Sequence, residues 1–131
     1  MDLPKNEKSF QLDHEGEITG KKYDGTFTVV CMLNTAQKRL LEIEKSALSA
    51  DLSNPTGNLS AISTVIANLR VRVIKSPDWF KQAVADLDLL DEDVFFALYG
   101  KCLDQADEWI KEVKGDSLGE QKAEKSAPIE S

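Results

Sequence analysis

The sequence has very little of the side-chain chemistry that enzymes and metal sites use. It contains one histidine, His14, and two distant cysteines, Cys31 and Cys102. Zinc sites need several such ligands at short paired spacings, and a catalytic triad would need His14 beside a nucleophile in a rigid cleft. A short strand beside a turn does not provide that cleft. We therefore expect no metal, no cofactor and no catalytic residue, and we expect that the protein is not an enzyme.

A run of aspartates offers the main alternative to that expectation. Asp86, Asp88, Asp91 and Asp93 lie close together in the sequence, but the run lacks the glycine and the closing glutamate of a calcium-binding loop. We interpret these residues as acids that complement the start of a helix, where the macrodipole is positive. A divalent-cation site is the other interpretation.

The chain also lacks long apolar runs. No stretch approaches the roughly 18 apolar residues of a membrane span, and the N-terminus has no apolar signal-peptide core. Both cysteines lie in apolar segments typical of buried thiols. These features predict a protein of a reducing cytoplasm that does not contact membranes.

Acidic residues exceed basic ones, 23 against 16, and the resulting net charge of -7 repels a phosphate backbone. Nucleic acid is therefore not an expected partner. The charge is uneven, because residues 34–81 carry seven bases and four acids whereas residues 86–114 carry nine acids and three lysines. Either the two regions attract each other within the fold, or the acidic helix binds a basic partner.

The pattern of apolar residues predicts one α+β domain. Residues 8–33 alternate as strands do, and the pairs Glu15-Gly16 and Asp24-Gly25 are typical of turns, the second being a strong hairpin signal. We expect a small N-terminal antiparallel β unit packed on a mainly helical bundle of three to four helices. Residues 1–7 are predicted to be a flexible N-terminus, residues 8–115 the domain, and residues 116–131 a disordered tail.

Helices are predicted in the rest of the domain. Asn34 and Gln37 form a capping box before a helix over residues 35–50, and a second helix begins near Asn58. Its exit at residues 71–74 suits either helix or an extended segment. A short helical turn follows Pro77, and the strongest helix is predicted over residues 92–114, ended by Gly115. The apolar rows of the first, second and last helices are Ala36, Leu40, Ile43 and Ala47; Leu59, Ile62, Ile66, Leu69 and Val73; and Phe95, Leu98, Cys102, Ala106, Trp109 and Val113.

Two adjacent aromatic residues, Trp79 and Phe80, follow Pro77 in a connecting segment. A bulky pair in this position either folds back into the core or anchors a partner. The sequence leaves both interpretations open.

Several short motifs together give the chain a family resemblance. They are Gly16-Glu17-Ile18-Thr19-Gly20, Tyr23-Asp24-Gly25-Thr26-Phe27, Leu69-Arg70-Val71-Arg72-Val73, Pro77-Asp78-Trp79-Phe80 and Leu89-Leu90-Asp91-Glu92-Asp93-Val94. In their order and spacing the chain resembles small accessory proteins of tailed bacteriophages, most closely the tail assembly chaperones.

That resemblance implies a non-enzymatic protein of the host cell cytoplasm that binds the tape-measure protein during tail assembly and then leaves. We expect the partner-binding residues to be Trp79, Phe80, Ile62, Ile66 and Phe27, in a helix-in-groove mode of recognition. The alternative is a structural virion protein retained in the particle as a capsid, head-tail or tail component, bound through a strand edge near Phe27. Self-association into a homo-oligomer is compatible with either role.

Overall fold

A computed structural model describes residues 3–49 and 57–126, and it confirms the α+β fold with an N-terminal antiparallel sheet and four helices. The elements, in chain order, are β1 (Glu7–Glu15), β2 (Lys22–Val30), α1 (Thr35–Ser49), α2 (Gly57–Arg72), β3 (Val73–Lys75), α3 (Asp78–Asp86) and α4 (Asp93–Ser126).

The sheet has the order β1-β2-β3, so β2 is its central strand. β1 and β2 pair antiparallel from Glu7 opposite Val30 to Glu15 opposite Lys22. β3 is the extended exit of α2, one of the two alternatives that the sequence left open. Because Phe27 lies on the central strand, the free edges of this sheet belong to β1 and β3.

The hairpin turn differs from the one that Asp24-Gly25 suggested. Residues 16–21 connect the strands, whereas Asp24 and Gly25 lie inside β2. Glycine is required there for a different reason: a Cβ on Gly25 would lie 2.2 Å from Cγ of Pro77, and its φ is +139°. A long-range contact with the residue before α3, rather than a turn, therefore explains this glycine.

The start of α1 confirms the predicted capping box. The Asn34 backbone N–H donates to Oε1 of Gln37, and the Gln37 N–H donates to Oδ1 of Asn34, both at 2.8 Å. These bonds satisfy two backbone donors near the helix start that the helix itself leaves unpaired.

Described residues extend beyond the predicted domain bounds, 8–115, at both ends. The side chain of Asn6 bonds both backbone groups of Met32, and the indole Nε1 of Trp109 donates to the carbonyl of Pro4. At the other end, α4 continues past Gly115 to Ser126. Glu, Lys, Gln and Ala are frequent after Gly115, and these good helix formers offset part of the cost of the interior glycines Gly115 and Gly119. Residues 1–2 and 127–131 of the predicted flexible ends lie outside the described residues.

The core lies between one face of the sheet and the helices. The largest fully buried side chains are Leu12, Phe27, Val29, Leu69, Phe95 and Leu98. They include the predicted row of α2 at Leu69 and the first half of the predicted row of α4, which remains buried as far as Cys102.

The apolar row predicted for α1 has the opposite placement. None of the residues of α1 is fully buried, and Leu40 and Ile43 are 47% and 55% exposed. The half-buried residues of α1 form a neighbouring row that includes Leu41 and Leu48. The helix has two apolar rows, and periodicity alone does not reveal which one packs inward.

Candidate protein-binding site

An aromatic cluster fixes α3 against the central strand. The ring of Phe27 lies 5.3 Å from that of Phe80 and 5.9 Å from that of Trp79, and Tyr23 lies 5.2 Å from Trp79, all edge to face. The indole Nε1 of Trp79 also donates to the backbone carbonyl of Asp24 at 2.8 Å. Edge-to-face pairs add to the stabilisation from buried area, so this cluster makes the position of α3 well defined.

A buried carboxylate holds the turn between β1 and β2. Asp91 accepts hydrogen bonds from the backbone N–H groups of Ile18 and Thr19, from the hydroxyl of Thr19 and from the hydroxyl of Tyr23. These hydrogen bonds lower the pKa of Asp91 to about 2, and the bond from the Thr19 hydroxyl has the largest effect. Burial alone would raise this pKa, but the hydrogen bonds outweigh it. The carboxylate therefore remains charged and ties the turn to the start of α4.

The turn approaches Asp91 so closely that only glycine fits beside it. A Cβ on Gly16 would lie 2.3 Å from Cγ of Asp91. Asp93 adds a second link, since its Oδ2 accepts from the backbone N–H of Glu17 and lies 2.7 Å from Nε2 of His14. Asp91 and Asp93 thus bind the turn, and Asp93 also lies in the first turn of α4, where its charge complements the helix macrodipole as expected.

The turn, α3 and the segment after α3 enclose a cleft of about 380 Å³. Trp79, Tyr23 and Leu89 give it apolar walls, and polar groups come from Lys21, Gln82 and Asp88. The Nζ atom of Lys21 also lies 5.6 Å from the centre of the Tyr23 ring. A cleft of this size admits one or two apolar side chains of a partner, with polar groups available to orient them.

Exposed apolar residues lie at the edge of this cleft. Leu90 lines it and is 67% exposed, and Ile18, which precedes the cleft residue Thr19, is 72% exposed. The turn that carries Ile18 is held by hydrogen bonds to Asp91, and Leu90 directly precedes Asp91 in the chain. We call Trp79, Leu89, Leu90 and Ile18 the Trp79 surface.

The five partner-binding residues predicted from the sequence have different surroundings. Phe27, Phe80, Ile62 and Ile66 are buried in the core, whereas Trp79 is half-buried and lines the cleft. Ile62 and Ile66 also contact a small cavity of about 140 Å³, which Leu89 separates from the cleft. Trp79 is therefore the most exposed of the five predicted residues.

The residues considered for catalysis do not meet in the cleft. His14 pairs with Asp93, and neither residue lines it. Burial raises the pKa of Cys31, and it raises the pKa of Cys102 to about 12. In residues 3–49 and 57–126 we found no group of three or more His, Cys, Asp or Glu side chains arranged to hold a metal ion.

The sequence indicated Trp79 as a partner-binding residue, but it did not indicate the neighbouring Leu89, Leu90 and Ile18 or the role of Asp91. The aspartate contacts residues more than 65 positions away in the chain, and no local pattern encodes such a pairing. The one signal was the pair of turn glycines in Gly16–Gly20, which indicated a tight turn but not its partner.

Comparisons with known proteins give no identification. No protein-family model, no curated protein and no solved structure matches the chain. Separately, none of the helices described is long and apolar enough to cross a membrane.

Proposed function

We propose that the protein is a non-enzymatic tail assembly chaperone of a tailed bacteriophage, which binds the tape-measure protein during tail assembly. The family resemblance of the sequence suggests this role. The observation that supports it best is the Trp79 surface, where an aromatic cleft opens beside two strongly exposed apolar side chains.

Two apolar side chains of the Trp79 surface are exposed to solvent at the edge of the cleft. Leu90 and Ile18 are strongly exposed, and the turn that carries Ile18 is held by a buried carboxylate that accepts four hydrogen bonds. Exposed apolar side chains beside an aromatic cleft are typical of surfaces that bind apolar segments of other proteins. A chaperone needs such a surface to cover a client until other subunits replace it.

The proposed mechanism involves binding and release only. The client would insert apolar side chains beside Trp79, while Leu90 and Ile18 cover the neighbouring part of its helix. Release follows when tail-tube subunits compete for the same apolar segments. No bond is made or broken, and the cleft needs no cofactor for this role.

Affinity capture from cells that make the phage tests this proposal. The protein should capture the tape-measure protein and should be absent from purified finished particles. The variant Leu90→Gln should weaken capture, whereas Leu103→Gln, which alters a 42% exposed leucine on α4, should not. Because both sites are exposed, both variants should keep the melting temperature of the parent protein.

A structural virion protein would give a different result. It would be present in finished particles at fixed stoichiometry, and it would capture capsid or tail-shell subunits. That outcome would replace the chaperone proposal and direct attention to the nine-residue edge strand β1.

A further inference from the structure

The segment between α3 and α4, residues 87–92, borders two cavities and exposes apolar side chains. One cavity is the cleft beside Trp79, and the other is the cavity of about 140 Å³ that Leu87 lines, while Leu89 lines both. Leu87 and Leu90 are 48% and 67% exposed. The exposed apolar area of the Trp79 surface therefore continues along this segment as far as Leu87.

The backbone of Leu87 has a conformation that leucine rarely adopts. It ends α3 with φ +57° and ψ +35°, in the left-handed region, and its N–H donates to the carbonyl of Ala83. Glycine is the residue that most often ends a helix in this way, because it has no Cβ to clash with the backbone. Since about half of Leu87 is exposed, burial accounts for only part of the presence of a leucine here. The exposed half is available to a partner.

The charged residues around this segment are all acidic. Residues 82–100 contain five acids and no base. Asp91 and Asp93 use their carboxylates to hold the turn between β1 and β2. The other three acids are exposed and form no ion pair within the part of the chain that the structure describes, and they are Asp86, Asp88 and Glu92.

Two of these acids line the cavities. Asp88 lines the cleft, and Glu92 lines the second cavity. Among the residues described, Lys21 is the only base that lines either cavity, and it comes from the turn, where its Nζ lies 5.6 Å from the centre of the Tyr23 ring. A client that crosses residues 87–92 therefore meets exposed apolar side chains flanked by carboxylates without an ion-pair partner.

A basic segment suits this arrangement, whereas an acidic one does not. Carboxylates beside an apolar surface attract lysines and arginines and repel acids, and such complementarity selects between partners. A second copy packed through the same surface would place these acids against each other. We propose that the Trp79 surface binds an amphipathic helix of the client whose apolar row is flanked by lysines and arginines. This inference rests on the proposed function, since it takes the client to be a helical protein.

Two designed peptides test the charge preference separately from the natural client. Both have about 20 residues and the same leucine row, but one carries lysines and the other glutamates at the flanking positions. The protein should bind the lysine peptide roughly 5- to 10-fold more tightly in fluorescence anisotropy, and added salt should reduce the difference. Equal affinities would overturn the proposal.

Charge variants show whether the preference arises at this segment. In the double variant Asp88→Asn with Glu92→Gln, the preference for the lysine peptide should fall about 3-fold or more. Asp104→Asn with Asp107→Asn is the matched control, because it removes the same charge from exposed positions of α4 and should keep the preference. Asp104 lies roughly 16 Å along the helix from Asp93, about twice the Debye length at physiological salt. A preference that the first double variant retains would come from the net charge of the whole chain, and it would overturn the proposal.

An apolar variant shows whether the peptides bind at the Trp79 surface. Leu90→Gln should weaken binding of both peptides about 5-fold or more, whereas Leu103→Gln on α4 should not. Circular dichroism should show the same fold and melting temperature for both variants, since both leucines are exposed. Unchanged peptide binding by Leu90→Gln would place the peptides elsewhere and would overturn the proposal.

The same variants separate this inference from the proposed function. If the lysine peptide binds at the Trp79 surface but the tape-measure protein is not captured, the function is wrong, whereas the preference for a basic helix stands. If Leu90→Gln weakens capture of the tape-measure protein but Asp88→Asn with Glu92→Gln does not, the function stands and this inference is wrong. Dimerisation that Leu90→Gln abolishes, without peptide binding, would show that a second copy occupies the surface and would also overturn this inference.

Discussion

Replacing Phe27 by alanine tests the placement of the aromatic cluster. Phe27 is fully buried, stacks on Phe10 at 5.6 Å and contacts Trp79 and Phe80 edge to face. Truncation of a buried phenylalanine costs about 3–5 kcal/mol, and the loss of three aromatic contacts places this site toward the upper end. Domains of this kind are stable by only about 5–15 kcal/mol, so the variant should lose a large part of its stability.

The measurement is thermal and urea unfolding followed by far-ultraviolet circular dichroism. For a chain of this length 1 kcal/mol corresponds to about 3–5 °C, so Phe27→Ala should melt about 10–20 °C below the parent protein. Phe96→Ala is the matched control, because Phe96 is 41% exposed on α4 and its truncation should cost about 1 kcal/mol or less.

A refuting result is easily recognised. If Phe27→Ala melts with the parent protein and loses only partner binding, Phe27 is an interface residue, and the arrangement of β2 and α3 described above is wrong. A similar fall in the melting temperatures of Phe27→Ala and Phe96→Ala would show that the two rings are equally buried. That result would also contradict the placement of Phe27 in the core.

Two further predictions concern Asp91 and the glycines. Because the pKa of Asp91 is lowered from 3.8 to about 2 in the folded protein, its contribution to stability is present above its unfolded pKa and is lost as the pH falls from about 4 to 2. The melting temperature of Asp91→Asn should therefore lie well below that of the parent protein at neutral pH. The difference between the two melting temperatures should narrow as the pH falls from about 4 to 2. A difference that does not change with pH would contradict a stabilising role of the Asp91 charge. Gly100→Ala should stabilise the protein by about 0.5–1 kcal/mol, because this glycine lies in a helix with no atoms near its Cβ position. Gly16→Ala should destabilise the protein, because the new Cβ would collide with Asp91. Equal changes in the free energy of unfolding, measured by denaturant titration, would refute the close approach of Gly16 to Asp91.

The features that the sequence predicted correctly depend on nearby residues. The capping box of Asn34 and Gln37 involves positions three apart, and the buried row of α2 repeats over one helix face. Each pattern lies within a short segment of the sequence, so it can be recognised without knowledge of the tertiary structure.

The features that it missed depend on distant residues. Gly25 lies in a strand because Pro77 occupies the space of a side chain, and Asp91 is charged and buried because a turn more than 65 residues away supplies its donors. The orientation of α1 was ambiguous because Leu40 and Leu41 belong to different apolar rows of the same helix. In each case the deciding contact is formed only when the chain has folded.

A substitution tests function only where it changes a surface without changing the core. Trp79 contacts Tyr23, Phe27 and Phe80, so its removal alters the core and the cleft together and cannot separate stability from binding. Leu90 is 67% exposed and belongs to the Trp79 surface, so its substitution changes that surface without altering the core. If Leu90→Gln weakens capture of the client without lowering the melting temperature, the Trp79 surface binds the client; unchanged capture would show that the client binds elsewhere.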